Sequence, residues 1–478
     1  MYEDFKDLHP IDSRRISMQK RLLKTEHCQP NYYEGASWIP CLYAAPPDKE
    51  YANVLVAEEY TGWRDESLAT HLTCAIASSL NPLRTLRVSG KDALAFLKYN
   101  LVNDFDRFPL NSTKHGVVVN ESGTIAATGV AMRTGEEQFE LFAFIPILQA
   151  RYDQQKDRYD DLAVEDISEE LFAFQMMGPK SLEVLEEATG EDLHDLRFGR
   201  TKHSSIDGRQ VRILRFGMHG GLGYEIHGSR EDAEEVHRKI VEVGNGYGIR
   251  LLGWLAFLLS HTPGASVQFY LHYDLDYSGV PYQYFAMTPE MNQMMVSWSG
   301  SAGKTAEGVH MNPFEVGLGN IVNFNHEFIG KEALLAYKAN PKRTNVTLKW
   351  NKEDIIEVFA SQFNTESEPY QQFDLPGQGA VRENVILASK DYVLNDKGEK
   401  IGISSGRTFS PFHAEMVSLA AIDLEYAQIG SELFVLWGDE GTRQKRIRAT
   451  VVPTPFNTHY SNKTFDVSSI PRLSDKQN

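Results

Sequence analysis

A single glutamate beside a run of glycines is the part of the chain best suited to chemistry. Glu225 follows the segment Gly217–Gly223 (GMHGGLG), which is too rich in glycine for the interior of a helix or strand. Such a loop lets a flat ligand approach the backbone, and a carboxylate next to it is a fixed hydrogen-bond acceptor. The loop opens no helix and lacks the lysine-serine/threonine ending of a phosphate-binding loop, so we do not expect it to bind phosphate. The alternative is a glycine hairpin with a surface glutamate.

Neighbouring elements must hold this loop in place. The pair Asp207-Gly208 suits the positive φ angles of a tight hairpin turn, and polar and apolar residues alternate in the strand Arg209–Phe216 that follows. Tyr224–His227 is predicted to be the returning strand. An amphipathic helix is predicted over Arg230–Val243, and it is expected to bury Ala233, Val236 and Ile240.

The order of elements indicates the fold class. Strands and helices interleave without regular βαβ alternation, and adjacent hairpins favour antiparallel sheets with helices on one face, so we predict the α+β class. We expect residues 1–82 to form an N-terminal extension packed on the body. Residues 83–340 are predicted to form two intertwined α+β subdomains, and residues 341–478 a C-terminal β-barrel domain, because short strands and turns follow one another there.

Composition and charge exclude several classes of partner. The 478-residue chain carries 48 Lys and Arg against 65 Asp and Glu, a net charge of −17 that repels nucleic acid and anionic lipid. The three cysteines form no metal-ligand cluster, which is typical of a reducing cytoplasm. The N-terminus lacks the apolar core of a signal peptide, and the longest apolar run, Leu251–Leu259, is too short to span a bilayer. We expect a cytoplasmic monomer or homodimer without nucleic-acid, membrane or metal partners.

Several segments together resemble one protein family. Phe174–Ser181 (FQMMGPKS) resembles the LQGPKA turn of the glycine-cleavage aminomethyltransferases. A second motif of that family has the pattern P…E.GLG…FIGREAL. Its first half resembles Asn312–Gly319, and its second half resembles Phe328–Leu334. Ser404–Gly406 and Pro453–Phe456 resemble elements of its C-terminal barrel. Each motif is short, and it is their common order along the chain that identifies the family.

Within this superfamily, further segments are most similar to the tetrahydrofolate-dependent O-demethylases of lignin-derived vanillate and syringate. These segments are Thr347–Trp350, Ala360–Phe363, Phe373–Pro376 and Val435–Gly438. The resemblance implies a three-domain cloverleaf with tetrahydrofolate in a central hole, bound by residues 83–340. It also implies that Glu225 grips the pterin ring. On this basis we assign cofactor binding to Glu225, Tyr224, His219 and Asn120.

The substrate residues of the family are replaced in this chain. The family aspartate near folate falls on Thr128, the arginine that holds a benzoate carboxylate on Phe144, and the active-site tyrosine near Phe257. The glutamine and histidine of the methoxyl pocket fall near Ser79 and Pro82. We assign substrate binding to Phe144, Phe257 and Thr128. Without the arginine, a benzoate loses charge-assisted hydrogen bonds of about 1.5–3 kcal/mol, so we expect a larger, less charged aromatic substrate.

The chemistry implied is removal of a one-carbon unit from a lignin-derived methoxylated aromatic compound, with transfer to tetrahydrofolate. The leaving phenolate must be stabilised or protonated. Because the family tyrosine is replaced, we assign this role to His261, Tyr270 or His71. The replacements leave two alternatives open. One is a folate-independent lyase that releases formaldehyde from the hydroxymethyl side chain of a lignin-derived aromatic dimer to give a stilbene, and the other is a non-catalytic binder of folate or aromatics.

Overall fold

Two large open β-sheets, a two-stranded sheet, a β-barrel and a set of helices make up the described part of the fold. The computed structural model describes residues 37–41, 54–77, 84–144, 146–168, 170–218, 220–269, 271–281, 296–303, 310–375, 377, 381–382, 385–457 and 461–476. Within these residues the strands are β1 (Ser37–Cys41), β2 (Val54–Glu59), β3 (Cys74–Ala77), β4 (Thr85–Ser89), β5 (Ser112–Val119), β6 (Ile125–Arg133), β7 (Gln138–Phe142), β8 (Ala163–Asp166), β9 (Leu171–Met177), β10 (Thr201–Ile206), β11 (Arg209–Leu214), β12 (Gly223–Ser229), β13 (Ile249–Leu251), β14 (Val296–Ser299), β15 (Arg343–Trp350), β16 (Val381–Arg382), β17 (Val385–Leu394), β18 (Lys400–Ser410), β19 (Glu415–Asp423), β20 (Glu432–Trp437) and β21 (Lys445–Val452). The α-helices there are α1 (Trp63–Leu72), α2 (Ala93–Asn100), α3 (Ile147–Gln155), α4 (Ser181–Thr189), α5 (Ala233–Gly244), α6 (Trp254–His261), α7 (Lys331–Ala339), α8 (Lys352–Ser361) and α9 (Leu473–Lys476).

The first open sheet has six strands in the order β10-β11-β12-β9-β3-β13. Its neighbours are antiparallel except for β3 and β13, which run parallel. The turn between β10 and β11 has φ 50° at Asp207 and 78° at Gly208, which confirms the predicted tight hairpin. Helices α4 and α5 cover one face, where Leu185 and Ile240 pack with Ile213 in one core. On the opposite face, β3 and β9 pack in part against α1 and α6, and the portion around β12 lines the site.

Residues 63–77 form part of this same body. Strand β3 lies between β9 and β13 inside the six-stranded sheet. Helix α1 is tied to the sheet by a buried ion pair, with Arg250 Nε donating to Asp65 Oδ2 at 2.8 Å. Glu66 Oε2 accepts from the backbone N–H of Gly253 at 2.8 Å, and burial raises the pKa of Glu66 to about 7. These contacts fix the loop that leads into α6.

The second open sheet has five strands in the order β5-β6-β7-β4-β8. The β5–β6 hairpin places Val117 opposite Thr128, as expected for strands that flank a short turn. One side of the sheet packs against α2 and α3 through a core that includes Phe96 and Leu148. Alternate residues of β5 and β6 point away from that core, and among them Val130 packs with Leu214 of the six-stranded sheet.

The C-terminal strands close into a barrel. Six strands follow one another in the order β17-β18-β19-β15-β21-β20, and β20 pairs with β17 to complete the ring. The barrel core holds Trp350, Phe373 and Trp437, with ring centroids 4.5 to 6.1 Å apart. The predicted α+β class with a C-terminal barrel is confirmed. In the part of the chain that the structure describes, no helix is long and apolar enough to cross a membrane.

Candidate active site

A cleft lies between the two open sheets and is lined by residues of both. The five-stranded sheet supplies Thr128 of β6, and the six-stranded sheet supplies Ala173 of β9 and Glu225 of β12. The glycine-rich loop after β11 contributes Gly217 and Met218 to the same wall. The cleft therefore brings together the predicted glutamate, the predicted glycine loop and one predicted substrate residue.

Glu225 is held inside the wall of this cleft with 5% of its surface exposed. On β12 it lies between Leu214 of β11 and Gln175 of β9, so its backbone is fixed on both sides. Because successive side chains of a strand point to opposite faces, Tyr224 turns away from the cleft into the core under the helices. Burial there raises the pKa of Tyr224 above its usual value.

A chain of buried and partly buried side chains holds Glu225 on the side away from the ligand. His227 Nε2 lies 3.1 Å from Glu225 Oε2, and Arg212 Nη2 lies 3.4 Å from His227 Nδ1. Because a guanidinium only donates, Nδ1 is the acceptor, and the ring proton is on Nε2 and donated to Glu225. Arg212 also donates to Glu140 of the five-stranded sheet. The network therefore fixes the carboxylate and connects the two sheets.

Thr128 lies opposite this network, in the wall formed by β6. Its Oγ1 is 2.9 Å from the phenol oxygen of Tyr273, and both residues are buried. Burial raises the pKa of Tyr273 above its usual value, so the phenol stays protonated at neutral pH. The pair is a source of hydroxyl protons at the edge of the cleft.

The cleft also contains His115, which the sequence did not single out. His115 lies on β5 opposite Val130, and it is half-buried in the cleft wall. Burial lowers the pKa of its imidazole to about 4, so the ring is neutral at physiological pH. The sequence contained a signal that could have found it. Successive side chains of a strand alternate between faces, so His115 lies on the same face as Val117, and Val117 pairs with the predicted site residue Thr128.

His261 and Phe257 lie one layer behind the cleft. Both are on α6, and their rings meet edge to face at 4.9 Å. His261 Nδ1 is 3.0 Å from the backbone oxygen of Phe257, and its Nε2 is 3.3 Å from Met218 Sδ. Burial lowers the pKa of His261 to about 4. Met218, which lines the cleft, therefore separates this histidine from the cavity.

The other predicted site residues lie elsewhere. His71 stacks on Phe412 with ring centroids 4.3 Å apart, and Asn120 caps the β5–β6 turn, where its Oδ1 accepts from the backbone N–H of Thr124 at 3.0 Å. Phe144 is fully buried in the core of the five-stranded sheet. His219 and Tyr270 lie outside the described residues.

One trio of side chains has the composition of a metal site within the described chain. Glu186, Asp192 and His194 bring potential ligand atoms within 4.8 Å of one another. His194 Nδ1 is 2.7 Å from Glu186 Oε1, and its Nε2 is 3.0 Å from the backbone oxygen of Ile470. Because both ring nitrogens of His194 already have hydrogen-bond partners, we interpret the trio as a structural contact that joins the C-terminal segment to the end of α4.

Comparison with known proteins places the chain in a family. The family described as GCVT N-terminal domain matches residues 25–260. A sesamin methylene transferase of Sinomonas sp. is 40% identical over 425 residues, which cover 87% of this chain and 93% of the relative. The chain belongs to the aminomethyltransferase superfamily. The predicted membership is thereby confirmed.

Two other proteins of the superfamily are similar to this chain in sequence or in fold. A syringate O-demethylase of Sphingobium sp. is 29% identical over 84% of this chain and 90% of its own length. The glycine cleavage system aminomethyltransferase T of Bartonella henselae shares the fold, with a TM-score of 0.61 at 18% identity over 89% of this chain and 95% of that chain. This member of the aminomethyltransferase superfamily is an enzyme of one-carbon transfer, close to the O-demethylases.

Proposed function

We propose that this enzyme moves a one-carbon unit from an aryl ether oxygen of a lignin-type aromatic compound to tetrahydrofolate. The observation that carries the proposal is Glu225, a buried carboxylate fixed in the wall of a cleft beside a glycine loop. Two relatives support it by their names, a methylene transferase and an O-demethylase, both of which handle a one-carbon unit.

The residues of the cleft suit a pterin ring. Glu225 receives its described hydrogen bond at Oε2, which leaves Oε1 to accept from the amino edge of a pterin. Gln175 pairs with Glu225 on the neighbouring strand β9. Its side-chain amide is fully buried, and neither of its polar atoms has a hydrogen-bond partner among the described residues. A buried amide without partners is costly, and a polar ligand edge satisfies it. When bound, tetrahydrofolate supplies the nitrogen that accepts the carbon unit.

The rest of the cleft suits an uncharged aromatic compound. Phe142, Phe216 and Phe269 line it, and the described part of its wall contains no lysine or arginine. Aromatic rings pack well against a flat substrate, whereas a carboxylate finds no cation there. This agrees with the expectation of a larger and less charged substrate than a simple benzoate.

The leaving phenolate oxygen requires a proton or a hydrogen bond. Thr128 donates its hydroxyl to that oxygen and receives the proton of Tyr273 in turn, since the two hydroxyls are 2.9 Å apart. The neutral imidazole of His115 offers an N–H from the neighbouring strand. These groups are assigned the role of stabilising the leaving oxygen, while Met218 shields His261 from it.

A binding and turnover experiment tests the proposal. We expect anaerobic titration with tetrahydrofolate to show binding by the native enzyme and about 10- to 100-fold weaker binding by Glu225→Gln, which loses a charged acceptor. Glu231→Gln is the matched control, because Glu231 is exposed just beyond β12. Equal affinity of Glu225→Gln and the native enzyme would remove Glu225 from the site.

Turnover separates transfer from the lyase alternative. With methoxylated aromatic compounds, including dimers that carry a hydroxymethyl side chain, we expect the phenol to form together with 5-methyltetrahydrofolate, and only when tetrahydrofolate is present. Formaldehyde released at the same rate without tetrahydrofolate would contradict the proposal.

A further inference from the structure

A segment near the C-terminus packs against the six-stranded sheet, although it follows the barrel in the chain. We call residues 461–472 the C-terminal strap. Phe465, Val467 and Ile470 of the strap pack with the core under α4 and α5. Arg472 at its end forms an ion pair with Asp192. The strap is therefore anchored to the body that carries the cleft.

Asn462 of the strap binds the glycine-rich loop at two points. Its backbone N–H donates to the backbone oxygen of Gly220 at 2.9 Å. Its side-chain Nδ2 donates to the backbone oxygen of Gly223 at 2.8 Å, and the residue is only 3% exposed. Gly223 begins β12, two residues before Glu225. One side chain of the strap thus holds the end of the loop from which the strand of Glu225 starts.

Arg215 fixes the orientation of the Asn462 side chain. This arginine is buried two residues before the loop, and no described carboxylate forms an ion pair with it. Its Nε donates to Asn462 Oδ1 at 3.2 Å, and its Nη2 donates to the backbone oxygens of Asn462 and Phe465 at 3.1 and 2.8 Å. Because a guanidinium only donates, the amide of Asn462 turns its oxygen to Arg215 and its NH₂ to Gly223.

The glycine-rich loop is enclosed on a second side by the turn after α6. A Cβ added at Gly220 would lie 2.9 Å from the Cα of Gly264. Two residues after Gly264, the chain reaches Ser266 in the cleft wall. The loop therefore lies between this turn and the strap, and both restrict the positions open to Met218 in the cleft.

We infer that Asn462 is a positioning residue for the cofactor: through the glycine-rich loop, the C-terminal strap shapes the part of the cleft that receives tetrahydrofolate. Glycine loses more conformational freedom on ordering than any other residue, so a loop of this composition is costly to fix. Bonds from Asn462 fix it before the ligand arrives, which lowers the cost of binding. This inference rests on the proposed function, because it needs the cofactor to lie against the loop.

A variant that breaks one of the two side-chain bonds of Asn462 tests the inference. In Asn462→Asp, the carboxylate still accepts from Arg215, but its second oxygen cannot donate to Gly223. We expect this variant to unfold near the native temperature and to bind tetrahydrofolate roughly tenfold more weakly in an anaerobic titration, the effect of one buried donor lost. At saturating cofactor, kcat should change by less than about twofold, since the contact serves binding alone.

The matched control makes the same change of charge on the same strap. Thr464 is exposed two residues further on, so Thr464→Asp should keep the native affinity. Hydrogen–deuterium exchange without ligand gives a direct measure of the loop, and we expect faster exchange over residues 217–223 in Asn462→Asp alone. Should that variant fail to fold, Asn462→Ala, which adds no charge, is expected to show the same loss of affinity.

The outcomes separate the inference from the proposed function. Native affinity in a folded Asn462 variant, an equal loss in Thr464→Asp, or a fall in kcat as large as the fall in affinity would overturn the positioning role and leave Glu225 and the transfer reaction intact. Failure of the native enzyme to bind tetrahydrofolate would contradict the proposed function, and the role of Asn462 with it.

Discussion

Glu225 owes its orientation to neighbours on both sheets. His227 donates to it at 3.1 Å, and Arg212 contacts the other nitrogen of the same ring while it also binds Glu140. Because His227 and Glu140 are buried and Arg212 contacts both, each group restricts the rotation of the next. The free carboxylate oxygen is therefore held in place before a ligand arrives, which lowers the entropic cost of binding.

Removal of the His227 donor should weaken the cofactor site. We expect His227→Leu to bind tetrahydrofolate roughly fivefold more weakly, the effect of about one hydrogen bond of 1 kcal/mol, and His227→Gln to recover most of the loss because its amide still donates. Anaerobic titration gives the affinities, and thermal unfolding of each variant gives its stability. If Gln were as poor as Leu in a stable protein, His227 would act through packing alone.

His115 should act as a neutral hydrogen-bond donor. Since its pKa is lowered to about 4, the imidazole is uncharged above that value and becomes charged only as the pH falls through it. We therefore expect the rate to show no change from this group between pH 5.5 and 8. His115→Phe should reduce kcat by roughly 100-fold, a typical effect of losing a proton donor, and His115→Gln by much less. A break near pH 6.5 that vanishes in His115→Phe would contradict this role.

At the scale of elements, the β5–β6 hairpin is shaped around one ring. Phe144 fills the space left by Gly116 and Gly129, and a Cβ added at Gly129 would lie 1.9 Å from the backbone oxygen of Phe142. Phe144 was predicted to contact substrate by its alignment with an arginine, yet its ring is a core residue of this hairpin. The ring therefore sets the position of the strand that carries Thr128.

Substitution within this hairpin should test that packing. Gly129→Ala is expected to lower the free energy of unfolding by about 2 kcal/mol or more, because a backbone oxygen cannot move aside as a flexible side chain does. Gly246→Ala is the control, since a Cβ there would meet nothing within 4 Å, and it should change stability by less than about 0.5 kcal/mol. Urea denaturation measures both. Similar stabilities of the two variants would show that β6 tolerates a shift.

At the scale of the whole molecule, a buried lysine in the barrel makes stability depend on pH. Lys390 of β17 is fully buried, with its Nζ 3.7 Å from the centre of the Trp298 ring, and it has no hydrogen-bond partner for Nζ among the described residues. Burial lowers its pKa from 10.5 to about 7. Between these values the unfolded chain binds the proton and the folded chain does not, so stability rises with pH in this window.

Lys390→Met should abolish that dependence. We expect the variant to be more stable than the native protein at pH 7, with the difference shrinking by on the order of 1.4 kcal/mol per pH unit as the pH rises towards 10. Lys400→Met is the matched control, because Lys400 is exposed and also lies 3.7 Å from a ring, that of Tyr392. Denaturation at pH 7, 8 and 9 gives the comparison, and a constant difference would show that Lys390 does not lose its proton on folding.

The sequence by itself determined the parts of this protein that depend on neighbours in the chain. The Asp207-Gly208 pair predicted its hairpin, and the apolar spacing of Arg230–Val243 predicted an amphipathic helix, observed as α5. Short motifs in a fixed order were enough for the superfamily and the α+β fold with its barrel. Glu225 could be singled out because both a glycine loop and a family motif surround it.

Only the tertiary structure decided what faces the cleft. His115 and Glu225 are far apart in the chain and line opposite walls of one cleft because the two sheets pack against each other. His261 and Tyr224 were both predicted to be site residues. In the structure, Met218 lies between His261 and the cleft, and Tyr224 is buried in the core under the helices. Turn and helix signals are local, whereas the identity of the residue that covers another is fixed by packing between segments distant in the chain, which no single-sequence pattern encodes.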